Sequence, residues 1–188
     1  VNRIKLNEQL NQKLEETAQA LYKYWFVDFE FPNENGQAYK SSGGQLVYNE
    51  DLDKDIPNNW EVGTLELLGE IVGGATPLKA VSNYWSNDSN AIRWISPKDL
   101  TKENYKFIDK GKHFITELGY QKSSTKLMPP NSVLFSSRAP IGILGINTNE
   151  LCTNQGFKSI VPFNHVGCHF VYYFLKFNTN DIAGQGSG

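Results

Sequence analysis

The sequence predicts an α+β protein: a long N-terminal amphipathic helix followed by a mixed α/β domain with short, largely antiparallel strands. Three observations carry that expectation. No glycine or proline occurs from Val1 through Phe31, so nothing in that stretch interrupts a helix. Residues 31–59 are rich in turn chemistry. From Trp60 onward, short β-branched and aromatic runs alternate with Gly, Pro and Asn punctuation.

Residues 4 to about 27 read as one helix. Leu6, Leu10, Leu14, Ala18, Leu21 and Trp25 recur at intervals of four and three. At 100° per residue they fall within a stripe about 120° wide, with Glu8, Gln12 and Lys23 opposite. Some 24 residues give a rod of about 36 Å, long for a helix buried in its own domain. A coiled-coil-like spacer is expected, with Leu6, Leu10, Leu14, Leu21 and Trp25 as its partner-binding face. Packing on its own domain is the alternative.

Phe31-Pro32-Asn33-Glu34-Asn35-Gly36, Ser41-Ser42-Gly43-Gly44 and Asp51 to Pro57 are loop-forming sequences, so 31–59 reads as an extended linker. Leu46-Val47-Tyr48 is a candidate short strand within it. The expected organisation is therefore a helix at 1–30, a linker at 31–59 and a domain at 60–188. Strands are expected at Glu70–Val72, Ile92–Ile95, Ser132–Phe135, Gly142–Ile146 and Phe157–Pro162. A helical turn is expected at Thr116–Tyr120 and an aromatic helix from Gly167 to about Phe177. Gly184 to Gly188 reads as a flexible end.

Composition restricts the function classes. The chain has 188 residues, 39% hydrophobic, and a net charge of −2. Residues 1–59 hold 6 Lys and Arg against 10 Asp and Glu, giving −4; residues 60–188 hold 12 against 10, giving +2. The second part is the better place for a nucleic-acid face, on a small imbalance. Two cysteines, Cys152 and Cys168, without a CxxC, fit a reduced cytosolic setting. No apolar run approaches the roughly 20 residues of a membrane span. The first residue is not Met, and the chain is expected to be a fragment or a processed product.

Several chemistries lack their residues. The Pro-Pro pair in Met128-Pro129-Pro130-Asn131 has neither the amide before it nor the aromatic after it that an adenine methyltransferase uses on a flipped base. The glycines at 184, 186 and 188 precede no helix, and no Walker A sequence exists. No lysine has an acidic residue two positions before it, as a metal-dependent nuclease generally needs. His165 and His169 could share a helix face with Cys168 between them, but no second cluster completes a tetrahedron. Neither a catalytic residue, a metal site nor a cofactor is expected.

Three segments do combine glycine, small polar groups and a cation. They are Gly73-Gly74-Ala75-Thr76-Pro77-Leu78-Lys79; Arg93-Trp94-Ile95-Ser96-Pro97-Lys98; and Ser136-Ser137-Arg138-Ala139-Pro140-Ile141-Gly142 with Asn154-Gln155-Gly156-Phe157-Lys158. Glycines let a backbone approach phosphate, hydroxyls and cations position a duplex, and Arg, Asn or Gln can read base edges. The DNA-facing candidates are Gly73, Gly74, Thr76, Lys79, Lys98, Ser137, Arg138, Asn154 and Lys158. Arg138 and Asn154 are the base readers and the lysines the phosphate contacts. Arg93, Trp94 and Trp85 can equally be packing residues.

The order of these blocks resembles a known family. Asn7 through Glu30, ending Leu21-Tyr-Lys-Tyr-Trp-Phe-Val-Asp-Phe-Glu30, looks like the spacer helix of specificity subunits of type I restriction–modification enzymes. Pro57-Asn-Asn-Trp60-Glu-Val62, Gly73–Pro77, Tyr84-Trp85, Trp94–Leu100, Ser136–Gly142 and Asn154-Gln-Gly156 look like signposts of their target recognition domains. The resemblance implies a non-catalytic, cytoplasmic, sequence-specific reader of double-stranded DNA, taking one half of a split target. It implies docking of methylation subunits, which bring S-adenosylmethionine, and of an ATP-driven restriction subunit. One recognition domain and one long helix is half the family's usual complement, so a second copy or second half of the subunit is an expected partner. A target-recognition portion of a self-contained DNA methyltransferase, or a helix-mediated protein-interaction module, are the rival readings.

Overall fold

The computed structural model describes residues 2–101 and 106–185. The chain divides into two compact units, Val1–Gly63 and Thr64–Gly188.

The first unit opens with helix α1 (Asn2–Tyr22), which passes directly into a five-residue π-helical segment, Lys23–Val27. The expected uniform helix to residue 27 is thus corrected at its last turn. The aromatic run Tyr22, Tyr24, Trp25, Phe26 falls at this change of winding. Tyr22 and Phe26 lie 5.1 Å apart and Phe26 meets Trp60 at 6.3 Å. Trp60 is also an edge partner of Phe29 (5.3 Å) and stacks on Phe31 (5.5 Å), which in turn stacks on Tyr39 (4.7 Å). Burial pushes the Tyr22 hydroxyl up to about 12. Trp60, expected to begin the second domain, therefore belongs to the first unit as the centre of its aromatic cluster.

The segment read as an extended linker is folded. Asn33 Oδ1 accepts from the Asn35 and Gln37 backbone N–H groups, closing a loop bridged by Pro32 and Ala38. Strand β1 (Leu46–Asn49) pairs antiparallel with β2 (Lys54–Pro57), Leu46 opposite Pro57 and Asn49 opposite Lys54. Asn49 Oδ1 takes the Leu52 N–H, and Asp53 sits at φ +48°, so an Asx-type turn closes the hairpin. The acidic sequence of that turn resembles loop, which is why β2 escaped the sequence reading. Along α1 the leucine stripe is open: Leu6, Leu10, Leu14 and Leu21 are about half exposed or more, and Trp25 is half-buried.

The second unit runs β3 (Gly69–Gly73), β4 (Trp85–Ser86), β5 (Ile92–Ile95), α2 (Pro97–Thr101), β6 (Phe107–Ile108), β7 (His113–Ile115), α3 (Glu117–Gln121), β8 (Val133–Phe135), β9 (Leu144–Asn147), β10 (Cys152–Thr153), β11 (Lys158–Pro162), α4 (Cys168–Phe177) and α5 (Thr179–Gln185). One sheet has the order β10-β5-β7-β4, the other β3-β11-β8-β9-β6. Two pairings are parallel, β10 with β5 and β6 with β9; the other described pairings are antiparallel, as expected.

The core follows from strand alternation. Successive residues point to opposite faces of a strand, so Trp94 and Ile95 enter different clusters. Ile95 joins Val72, Leu100, Ile108, Met128, Leu134, Leu151 and Phe157. Trp94 joins Ile115 and Cys152. Each fully buried aliphatic or aromatic side chain stabilises the fold by about 1.5–3 kcal/mol. Thr116 caps α3, its hydroxyl accepting from the Gly119 N–H at 3.0 Å. Helix α4 begins at Gly167, whose φ is +80°. The expected flexible end is corrected in part: Gly184 lies within α5, which continues α4 after Asn178 through the Ile182 N–H to the Asn178 carbonyl. Residues 186–188 fall outside the described range.

Candidate nucleic-acid interface

The turn at residues 154–157 carries the chain from β10 in one sheet to β11 in the other. Its backbone is anchored at both ends. The Asn154 N–H donates to Ile95 O at 3.0 Å, extending the parallel β10–β5 pair. Ser136 and Phe157 form an antiparallel bridge beyond β8 and β11. Within the turn, Asn154 Oδ1 accepts the Gly156 N–H at 2.9 Å and Asn154 O accepts the Phe157 N–H at 3.2 Å.

All three glycine- and hydroxyl-rich segments attach to this turn. From the first, the Ala75 N–H donates to Thr153 O at 2.9 Å, the Gly74 N–H to Phe157 O at 3.4 Å, and the Thr76 hydroxyl to the Gln155 side-chain oxygen. From the second, Ile95 accepts from Asn154, and a Cβ placed on Gly156 would lie 3.4 Å from Pro97 Cγ. From the third, the Ser137 N–H donates to Gly156 O at 2.8 Å, and the Ser137 hydroxyl approaches the same carbonyl at 3.4 Å.

Cations flank every attachment. Lys79 follows Thr76 by three residues, Lys98 follows Pro97, Arg138 follows Ser137, and Lys158 follows Phe157. All four are exposed, and none has an ion-pair or hydrogen-bond partner for its side chain among the described residues. Lys98 is presented by α2, whose start is fixed by Asp99: its carboxylate accepts the Ser96 N–H and hydroxyl (2.8 and 2.7 Å) and the Lys112 N–H (3.0 Å). Unpaired cations on a rigid rim suit a polyanion.

Some expected roles shift. Gly74 approaches its own chain closely: a Cβ there would stand 2.0 Å from Asn154 O and 2.6 Å from Thr153 O. Its lack of a side chain serves the internal junction. Gly73 is less constrained, with only Lys158 Nζ, 3.5 Å away, near a built Cβ. Asn154, expected at a base edge, is half-buried, and its side-chain oxygen is used inside the turn. Trp94 is 4% exposed and donates its indole N–H to Ala75 O at 2.9 Å; Trp85 donates to Leu78 O at 3.3 Å and meets Trp94 edge-on at 5.2 Å. Both tryptophans hold the 73–79 loop in place. Arg93 pairs loosely with Asp109 at 3.8 Å and is half-buried. Gln155 was not singled out from sequence, because a lone Gln in a turn has no distinguishing pattern; only the fold shows its Thr76 partner.

Among the described residues, no group of three or more His, Cys, Asp or Glu is placed to hold a metal, and no helix is long and apolar enough to cross a membrane. His165 stacks on Phe163 and His169 meets Phe107 edge-on.

Residues 57–188 match the family model for the type I restriction modification DNA specificity domain. The chain belongs to this family. The chain is 40% identical over 134 residues to the type I restriction enzyme MjaIX specificity subunit of Methanocaldococcus jannaschii, covering 69% of this chain and 30% of that one. The HindI specificity subunit of Haemophilus influenzae is 28% identical over 222 residues, covering 93% of this chain and 47% of the relative. The chain thus spans under half the length of either. In fold, the HsdS subunit of Thermoanaerobacter tengcongensis matches over 97% of this chain and 39% of its own, at a TM-score of 0.59 and 15% identity.

Proposed function

We propose that this chain is a non-catalytic DNA-recognition element of a type I restriction–modification specificity subunit. It binds double-stranded DNA over the 154–157 turn, reads one half of a split target, and docks the methylation and restriction subunits. The observation that carries this reading is the convergence of three loop segments on one sheet-to-sheet turn, with unpaired Lys79, Lys98, Arg138 and Lys158 around it. Membership of the DNA specificity family supports it. The lysines supply sequence-independent, salt-sensitive attraction to phosphates, and Arg138 is the residue free to reach a guanine edge.

The open leucine stripe of α1 supports a role for Leu6, Leu10, Leu14, Leu21 and Trp25 in association, with a methylation subunit or with a second copy or second half of the specificity subunit. Organisation into a spacer helix followed by a target recognition domain accords with that reading, and the setting is the cytoplasm, where chromosomal DNA lies. The test is a gel mobility shift of duplex DNA with and without added methylation subunit. A shifted complex that forms with the subunit and competes better against its selected duplex than against scrambled DNA is expected. Methyl transfer by the purified chain alone, scaling with its concentration, contradicts the non-catalytic assignment.

A further inference from the structure

Gln155 stands at the exposed crest of the turn. Its side-chain oxygen accepts the Thr76 hydroxyl hydrogen, a link between residues 79 apart in sequence. That bond fixes which end of the amide faces outward. The Nε2 group, with two N–H donors, has no acceptor among the described residues. The backbone N–H of Gln155 also has no acceptor among the described residues. The neighbouring amide of Asn154 is turned the same way, its oxygen committed to the Gly156 N–H. The two side-chain amides of the crest therefore turn their donors outward, while each oxygen already accepts from the protein.

This asymmetry selects a ligand. Bidentate reading of adenine uses an amide as donor and acceptor together. An amide whose oxygen already accepts from the protein is less well matched to it. A phosphate oxygen asks only for donors, and the cations of Lys98, Arg138 and Lys158 sit beside the same turn. Resting on the DNA-binding reading above, we propose that Gln155 is a phosphate-backbone contact that sets the duplex's register, with Thr76 as the residue that positions its amide. Gln155 donates from Nε2 and from its backbone N–H to one phosphate group. Being neutral, it adds affinity and orientation without displacing a counterion.

The experiment measures binding by the full chain with methylation subunit present. The probes are the tightest duplex selected from a randomised pool and a scrambled duplex of the same length, each at two salt concentrations. Gln155→Ala is expected to weaken both duplexes equally, by about tenfold, the scale of one hydrogen bond to a charged group. The slope of affinity against salt should stay unchanged, whereas Lys98→Ala should flatten it by about one. Thr76→Val should lose affinity through Gln155, so that the double variant binds no worse than Gln155→Ala alone. A neutral methylphosphonate at the contacted phosphate should erase the difference between wild type and Gln155→Ala. Loss confined to the selected duplex overturns the proposal in favour of a base-edge contact, as do additive losses in the double variant. If Gln155→Ala binds normally while Lys98→Ala loses affinity, the Gln155 assignment fails and the DNA face stands. If neither variant loses affinity, the DNA lies elsewhere and both readings fail.

Discussion

Replacing Gly74 by alanine isolates the junction on which the candidate interface is built. The added Cβ would stand 2.0 Å from Asn154 O, 2.5 Å from Thr153 Oγ1 and 2.6 Å from Thr153 O. Two of these three atoms are backbone, so the contact is relieved only by moving the β10–β11 turn away from the 73–79 loop. Overpacking of this kind costs about 1–3 kcal/mol. The displacement also strains the Ala75-to-Thr153 and Gly74-to-Phe157 hydrogen bonds, each contributing about 1 kcal/mol. A loss of about 3 kcal/mol follows, or a fall in Tm of about 10 °C for a unit of this size. Gly73→Ala is the matched control. Its Cβ would meet only the flexible end of Lys158, at 3.5 Å, so its effect should stay within about 1 kcal/mol. Differential scanning calorimetry on the intact chain measures both, and hydrogen exchange at the Ala75 amide reports the junction directly. Equal melting of the two variants, or undiminished protection of Ala75 in Gly74→Ala, would refute the argument.

Further outcomes are expected. Arg138→Ala should cost about 1–3 kcal/mol in DNA affinity and relax preference at one base pair, read by competition in the assembled methyltransferase; equal loss on scrambled DNA makes it a phosphate contact. Leu10→Asp with Leu14→Asp should leave the melting of the isolated chain almost unmoved, since both side chains are more than half exposed, yet abolish association in sedimentation and pull-down with the methylation subunit. Burial pushes the Cys152 thiol up to about 11, so at pH 8 a thiol reagent should label Cys168 and reach Cys152 only after unfolding. The sign of the linkage is fixed by that shift. The unfolded thiol ionises near pH 9 and the folded one near 11, so this contribution, about 3 kcal/mol at most, is present below pH 9 and lost by pH 11. Denaturant titrations across that range, compared with Cys152→Ala, check it.

What could be read from sequence was whatever a short window carries. Ile92–Ile95 is a strand at the expected residues because β-branched and aromatic side chains fill it between polar turns. The helical turn expected at Thr116–Tyr120 is α3 with Thr116 as its cap, and the helix expected from Gly167 is α4. Strands β4, β6 and β10 have two residues each, too few for any periodicity, and exist only through their partners. The candidate site was visible as composition only: glycine, hydroxyl and cation recurring in three places. Its wiring was not. Nothing local distinguishes Gly74, needed against Asn154, from Gly73, nor Gln155 from any other turn glutamine. Those distinctions arise from neighbours dozens of residues away.

The way the turn is tied also dictates an order of events in folding. Thr76 waits for Gln155, 79 residues later, while Ser137 waits for Gly156 only 19 residues later. Long loops close slowly and late, so the tie from the first segment to the turn forms after that from Ser137. A chain ending before residue 154 would lack the turn to which the three segments tie. The candidate interface is thus completed only once residues 154–157 are in place, a consequence of the topology.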